Sequence, residues 1–431
     1  MNDQLILDEV IRAQKQGEVR GIASICSANP FVLEASLLHS RGVVLIESTC
    51  NQVNQYGGYT GMTPADFVRR VGELADKHRI PRERVLIGGD HLGPNPWKDE
   101  PADRAMEKAR VLVRECVRAG YVKIHLDASM RCADDSPERP LDEEISAQRA
   151  AELARVAEDA FASSSSGQPP PRYVIGTEVP PPGGIQGEEG TLSVTPVDDV
   201  ARTIEITRAA FLRQGLEDAW ERVIAVVVQP GVEYGDQAIF EYQPERAAGL
   251  SRFIERHDRL IYEAHSTDYQ TREALRHLVR DHFAILKVGP ALTFAFREAV
   301  FALAMIEEEL PSLVSPSRVR EALEAAMLAN PAHWAKYYSG TPDEQRFARR
   351  YSLSDRSRYY WPVPAVQKAL SRLLQTLSGQ PIPLTLLSQY LPLQYRRVRE
   401  GTLENAPRAL IMDKIGSVLA DYAYACGEPT P

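Results

Sequence analysis

Eight times along the first three-quarters of this chain, a short β-branched run gives way to a longer amphipathic stretch, and no other feature restricts the fold so tightly. The runs are VRGIASIC ending near Cys26, GVVLIEST near Ser48, VLIGGDH near His91 and YVKIHLDAS near Ser129. RYVIGTEV near Val179, VIAVVVQPG near Gly231, LIYEAHST near Thr267 and FAILKVG near Gly289 follow. Helical spacing covers 30–40, 64–79, 101–119, 141–162, 197–214, 244–257, 271–279 and 294–310. Several of these open with proline in the first turn, where its missing N–H costs nothing. A strand followed by a helix, eight times over, is the pattern of a TIM (β/α)8 barrel. A doubly wound sheet reads similarly, but eight consecutive units without a break favour closure. From 311 onward no strand pattern recurs, and VQKALSRLLQTL and RALIMDKIGSVLADYAYAC have helical apolar spacing. The expectation is an α/β barrel over 1–310 with a helical extension over 311–431 packed on it.

Composition removes other classes. Fifty basic against fifty-nine acidic residues give a net charge of -9, so no global basic field exists for gripping nucleic acid. No run of 18 apolar residues occurs, which excludes a membrane-spanning helix. The opening MNDQLILDEVIRAQKQ is charged and helical in rhythm and has no signal-peptide core. Five cysteines lie scattered without CxxC spacing, so neither a zinc ribbon nor a disulfide framework is indicated, and a reducing cytoplasm fits.

In a barrel the C-terminal strand ends carry the chemistry. Here those ends hold Glu47, Asp90 and His91, His125 and Asp127, Glu178, Gln229, Glu263 and His265, and Lys287. Strand alternation puts His125 and Asp127 on one face, and Glu263 and His265 likewise. A barrel with structural duties alone would place Val, Ile and Leu there. Ionisable groups are expensive to bury unless paired or metal-bound, so their clustering points to an active site. Histidines on strands three, four and seven, with Glu178 and Asp90, suit a divalent metal, because barrels assemble such ions from imidazoles and carboxylates on separate strands. Lys287 has three readings: a Schiff-base nucleophile, a cation that orients substrate, or the buried partner of a carboxylate such as Glu47.

The loops say less. GGDHLGPNP matches neither a P-loop nor a dinucleotide fingerprint. SSSSGQPPP, 163–171, reads as a surface spacer, whereas PPPGGIQGEEG after the fifth strand is a phosphate cradle or a lid. SDRSRYYW, 354–361, sets Arg356 and Arg358 beside three aromatics, a group suited to clamping a phosphate or stacking on a sugar, or to a helix-packing corner.

Long motifs then carry a resemblance. GIASICSANPFVLEAS, LIESTCNQVNQYGGYTGMTPADF, IGGDHLGPNPW, KIHLDASM, GTEVPPPGG, VVVQPGVEYGD, EAHSTDYQ, KVGPALTFAFREAVFAL and SDRSRYYWP, in order over nearly the whole chain, closely resemble the non-catalytic subunits of class II D-tagatose-1,6-bisphosphate aldolase. The resemblance implies a TIM barrel of galactitol and N-acetylgalactosamine catabolism, distantly related to zinc-dependent catalytic aldolases. Some relatives are described as ketose 4-epimerases. A kinase label also survives in the family, without a phosphate-loop lysine here to support it. In the catalytic aldolases an Asp-His pair ends a strand, with the aspartate as proton donor and the histidine as zinc ligand; Asp90-His91 looks like that pair. His265 in EAHSTDY resembles a second ligand. The remaining aldolase histidine would follow the sixth strand, where this chain reads VQPGVEYG and has none.

Two functions stay open. In the first, Zn2+ or Mn2+ held by His91, His265 and Glu178 polarises a ketohexose or ketohexose phosphate. Asp90, Asp127 or Glu178 acts catalytically, and Glu47, His125, Gln229, Lys287 and Arg356 bind substrate. Chemistry at C3–C4 then runs as aldol cleavage or as 4-epimerisation. In the second, the chain binds and stabilises a catalytic aldolase subunit through a broad apolar patch. The extension is also able to support a homo-oligomer.

Overall fold

The structure is a computed structural model that describes residues 6–136, 138, 140–164, 167–176, 192–310, 316–379 and 381–428. Eight parallel strands close into the expected barrel. They are β1 (Ile22–Cys26), β2 (Val44–Thr49), β3 (Val85–Leu92), β4 (Lys123–Leu126), β5 (Arg172–Ile175), β6 (Val223–Val228), β9 (Ile261–Ala264) and β10 (Phe283–Val288). Around the barrel the order is β1-β10-β9-β6-β5-β4-β3-β2. Two further strands, β7 (Glu233–Tyr234) and β8 (Ile239–Phe240), form an antiparallel hairpin after β6 that the apolar pattern does not announce, since each is two residues long. Glu178, and the expected end of the fifth strand at Val179, lie outside the described residues.

The barrel interior changes character along its axis. At the strand N-termini, helix Ile6–Lys15 inserts Leu7, Val10 and Ile11 against Ile22, Leu45, Val174, Ile224, Ile261 and Ile285, which makes an apolar plug. Above it the inward positions are ionic: Glu47, Lys123, His125 and Glu263 are fully buried. Register brings Cys26, Glu47, Gly88 and Lys123 to one level, with Cys26 opposite Glu47, Glu47 opposite Gly88, and Gly88 opposite Lys123. Gly88 is needed there, because a Cβ on it would stand 2.9 Å from Glu47 Oε1.

The outer ring follows the expected helices. The helix after β10 starts four residues earlier than its spacing suggests, at Pro290, because Asp268 accepts from Gly289 N at 3.0 Å and Ala291 N at 2.8 Å and so satisfies its first turn. The closing helix Pro407–Ala425 packs against Pro30–His39, Arg272–Arg280 and Pro290–Glu309. Its Tyr422 hydroxyl lies 2.9 Å from Thr267 Oγ1, which donates to Lys287 O at 2.6 Å. Farther back, Asp355 takes hydrogen bonds from Thr293 (2.5 Å) and Ser357 (2.7 Å), and so seats the 354–361 segment at the barrel mouth. Among the described residues no helix is long and apolar enough to cross a membrane.

Candidate active site

The ionic layer opens at the strand C-termini into a cleft enclosing about 640 Å³, part of it open solvent. Cys26, Asp90, His91, His265, Asp268, Lys287, Tyr59, Arg358 and Tyr359 are among its lining residues. A β-bulge aims the central pair. β3 and β4 lose register between Gly89 and Leu92, and His91 takes a left-handed φ of 50°. Ser266 (φ 53°) and Tyr269 (φ 66°), just past β9, are held the same way. Strained non-glycine backbone persists where the surroundings over-determine it, and two of these three residues, His91 and Ser266, line the cleft.

At the layer's centre two lysines tie three carboxylates. Lys123 Nζ lies 2.6 Å from Glu47 Oε1 and 2.7 Å from Glu263 Oε2. Lys287 Nζ pairs with Glu47 Oε2 and stands 2.9 Å from Asp90 Oδ1. Burial works against the charged Glu263, yet Lys123 and Lys287 hold its carboxyl well below the usual carboxylate range. Burial opposes the charge on Lys287 too, but Asp90, Cys26, Glu47 and Glu263 raise its pKa well above that of an ordinary lysine. These pairs make Lys287 a buried partner of carboxylates, one of its three readings, and favour its ammonium over the free amine that a Schiff base requires.

Three imidazoles sit above these pairs, their ring centroids 4.9 to 5.2 Å apart. His91 Nδ1 is 2.8 Å from Asp127 Oδ2, and Asp127 also accepts from Ser129 Oγ at 2.6 Å. Burial disfavours the charged forms of both, but Asp90 and then Asp127 raise the His91 pKa, and His91 lowers that of Asp127 to about 2. His125 Nδ1 is 2.9 Å from Asp90 Oδ1, and its Nε2 is buried without a hydrogen-bond partner. His265 Nε2 is 2.9 Å from Glu263 Oε1, and burial pushes its pKa down to about 4, so the ring is neutral and its lone pair available.

These donors fit a metal ion. Asp90, His125, Glu263 and His265 each place a ligand atom within 4.8 Å of the others. Four carboxyl groups, Glu47, Asp90, Asp127 and Glu263, face the two ammonium groups of Lys123 and Lys287, an acidic surplus that suits a bound cation. When His125 Nδ1 carries its proton toward Asp90, the orphaned Nε2 is a buried lone pair of the kind that a metal satisfies.

The expected residues converge unevenly. Glu47, Asp90, His91, His125, Asp127, His265 and Lys287 meet in one centre. His125, expected on substrate, joins the donor group, while His91 stands beside it. Gln229 is not among the cleft's lining residues; its Oε1 accepts from Gly231 N and Val232 N and shapes the turn after β6. Arg356 is likewise absent from the lining. Its guanidinium is buried 3.3 Å over the Tyr337 ring, and Arg358, two residues along the same short helix, faces the cleft instead. Sequence reasoning missed Lys123, although it shares the inward alternation of His125 and Asp127, and it missed Cys26, Asp268 and Tyr59.

Fold and site together define a parallel (β/α)8 barrel with a buried imidazole–carboxylate–ammonium centre at its strand C-termini. The comparisons place it further. A model of the D-tagatose-1,6-bisphosphate aldolase subunit GatZ/KbaZ-like family matches residues 7–427, and the chain belongs to that family. A crystal structure from Sinorhizobium meliloti 1021, described as a probable tagatose 6 phosphate kinase, is 48% identical with a TM-score of 0.87, covering 94% of this chain and 100% of that one. A fructose-bisphosphate aldolase from Campylobacter jejuni is 14% identical with a TM-score of 0.42 over 86% of this chain and 91% of its own, too distant to carry an inference.

Proposed function

We propose that this chain is an enzyme in its own right, which uses one divalent metal, Zn2+ or Mn2+, on a ketohexose or ketohexose phosphate at C3–C4. The observation that carries this reading is the orphaned His125 Nε2 within a group of four donors whose ligand atoms lie within 4.8 Å of one another. His125, His265, Asp90 and Glu263 would hold the ion, with His91 next to them; a Glu178 contribution is part of the same proposal. When bound, the metal supplies Lewis-acid polarisation of a carbonyl or hydroxyl oxygen.

The chain's own residues do the remainder. Asp90 lines the cleft, and although burial opposes its charge, His91 and Lys287 hold its carboxyl well below the ordinary range. It is therefore a carboxylate at neutral pH and takes the proton of the C4 hydroxyl as C3–C4 breaks. The bond's electron pair moves toward C2 and leaves an enediolate and an aldehyde. The protonated Lys287 beside Asp90 offsets the negative charge that develops. Asp127 does not line the cleft; it is a positioning residue that fixes the His91 ring. Recombination on the opposite aldehyde face inverts C4, and escape of the fragments is aldol cleavage. Tyr59 and Tyr359, with centroids 4.7 Å apart at the mouth, offer a stacking surface for the sugar.

The test is to purify the protein alone, measure bound metal, and incubate it with D-tagatose, D-fructose and their phosphates. Stoichiometric metal with interconversion or cleavage is expected; a metal-free protein without turnover overturns the reading. The family's description as an aldolase subunit supports a second role, association with a catalytic aldolase chain. The specific feature that favours it is exposed Leu328, Phe347 and Tyr351 on two packed helices of the extension. Co-elution with such a chain at micromolar concentration is the expected result, and failure to co-elute counts against it.

A further inference from the structure

The centre contains a second group of donors. Cys26 closes β1, Glu47 lies in β2 and Asp90 in β3, and their ligand atoms fall within 4.8 Å of one another. Cys26 Sγ is 3.5 Å from Asp90 Oδ2 and 3.8 Å from Glu47 Oε2. Asp90 belongs to both groups, so they share one corner. This second group already holds a cation: Lys287, reaching in from β10, sets Nζ against Glu47 Oε2, 2.9 Å from Asp90 Oδ1 and 3.7 Å from Glu263 Oε1. Cys26, Asp90 and Lys287 all line the cleft, so this half of the centre also meets a ligand.

We propose that Cys26, Glu47 and Asp90 form a divalent-metal site that the Lys287 ammonium occupies in place of an ion. The protein thereby keeps a two-cation centre with one metal. The inference rests on the metal reading above and extends it. Paired divalent ions about 3.5–4 Å apart clamp two oxygens of a substrate at once. A fixed ammonium beside one divalent ion presents the same paired positive charge to neighbouring oxygens of a polyol or its enediolate, and it cannot be lost to chelation. Charge balance points the same way. Without Lys287, Glu47 and Asp90 lose the cation they share, and a second divalent ion in its position restores one. The Cys26 thiolate selects Zn2+ or Co2+ for that second site over Mg2+.

The experiment titrates metal-stripped protein with Co2+, counting bound ions after desalting and recording thiolate-to-cobalt charge-transfer absorption. Wild type is expected to take one ion per chain without the sulfur band. Lys287→Met is expected to take two with the band, and Lys287→Met combined with Cys26→Ser loses the band. Lys287→Arg, which keeps a cation in place, stays at one ion. Two ions in wild type, or one ion and no band in folded Lys287→Met, overturns the proposal and leaves the metal reading standing. No ion in wild type overturns both. Should Lys287→Met fail to fold, Cys26→Ser alone decides: its cobalt spectrum is expected to match wild type, and a changed spectrum refutes occupancy by the ammonium.

Discussion

Replacing Lys123 with methionine isolates the charge balance of the barrel's ionic layer. The ammonium is fully buried between Glu47 and Glu263, at 2.6 and 2.7 Å. Methionine fills the same volume and leaves the charges uncompensated, so the cost is that of breaking a buried pair, about 3–5 kcal/mol. Unfolding entropy of about 2.1 cal/mol/K per residue gives roughly 0.9 kcal/mol/K for this length, so Tm should fall by about 3–6 °C. Calorimetry of the metal-stripped protein reads this directly. Adding Glu263→Gln to the same chain removes the orphaned carboxylate and keeps the hydrogen bond toward His265. The double variant should therefore recover at least half of the loss. The single variant, with one more negative charge in its centre, should also gain more Tm from Zn2+ than wild type does. A single variant within 1 °C of wild type, or a double variant no better than the single, refutes the reasoning.

Three further outcomes follow from other parts of the structure. Burial raises the Glu233 pKa to about 7, so its folded-state proton is held more tightly than in the unfolded chain. Its stability contribution is present below the ordinary value near 4.5 and is lost as pH rises to 7, by roughly 3 kcal/mol. Glu233→Gln should thus melt progressively higher than wild type between those pH values, and a pH-independent difference would falsify the assignment. A Cβ at Gly93 would lie 1.7 Å from Asp127 O, so Gly93→Ala should cost about 1–3 kcal/mol or more in denaturant melts and weaken the His91–Asp127 pair. His125→Ala should abolish stoichiometric metal, read by elemental analysis, while leaving the far-UV circular dichroism unchanged; retained metal counts against His125 as a ligand.

The fold was legible because each strand is buried on both faces and therefore reads as an unbroken apolar run that stops at a polar residue. That same stop marked Glu47, His125, His265 and Lys287. Lys123 escaped because it opens its strand, where a lysine ordinarily reads as solvated. No local pattern announces that Glu47, 76 positions earlier, and Glu263, 140 later, close on it; barrel register does that. The bulge that turns Asp90 and His91 inward has no signature in GGDHLG beyond its glycines. Arg356 and Arg358 are indistinguishable in sequence, and it is the short helix carrying both, entered through the left-handed Asp355 (φ 41°), that turns Arg358 and not Arg356 to the cleft. Gln229 closes an apolar run as convincingly as Glu47 does, yet its side chain is spent on its own turn.

The apolar plug beneath the ionic layer makes the barrel a vessel sealed at its base. On the cleft side the carboxylates meet solvent, whereas on the other side Leu7, Val10 and Ile11 pack an apolar layer beneath them. Exchange with solvent is thereby a property of the mouth, and if the proposed metal is bound, a chelator's rate of removing it would measure how freely the Tyr59–Tyr359 rim lets small molecules through. Deleting the first helix would give the same centre a second entrance and turn slow exchange into fast.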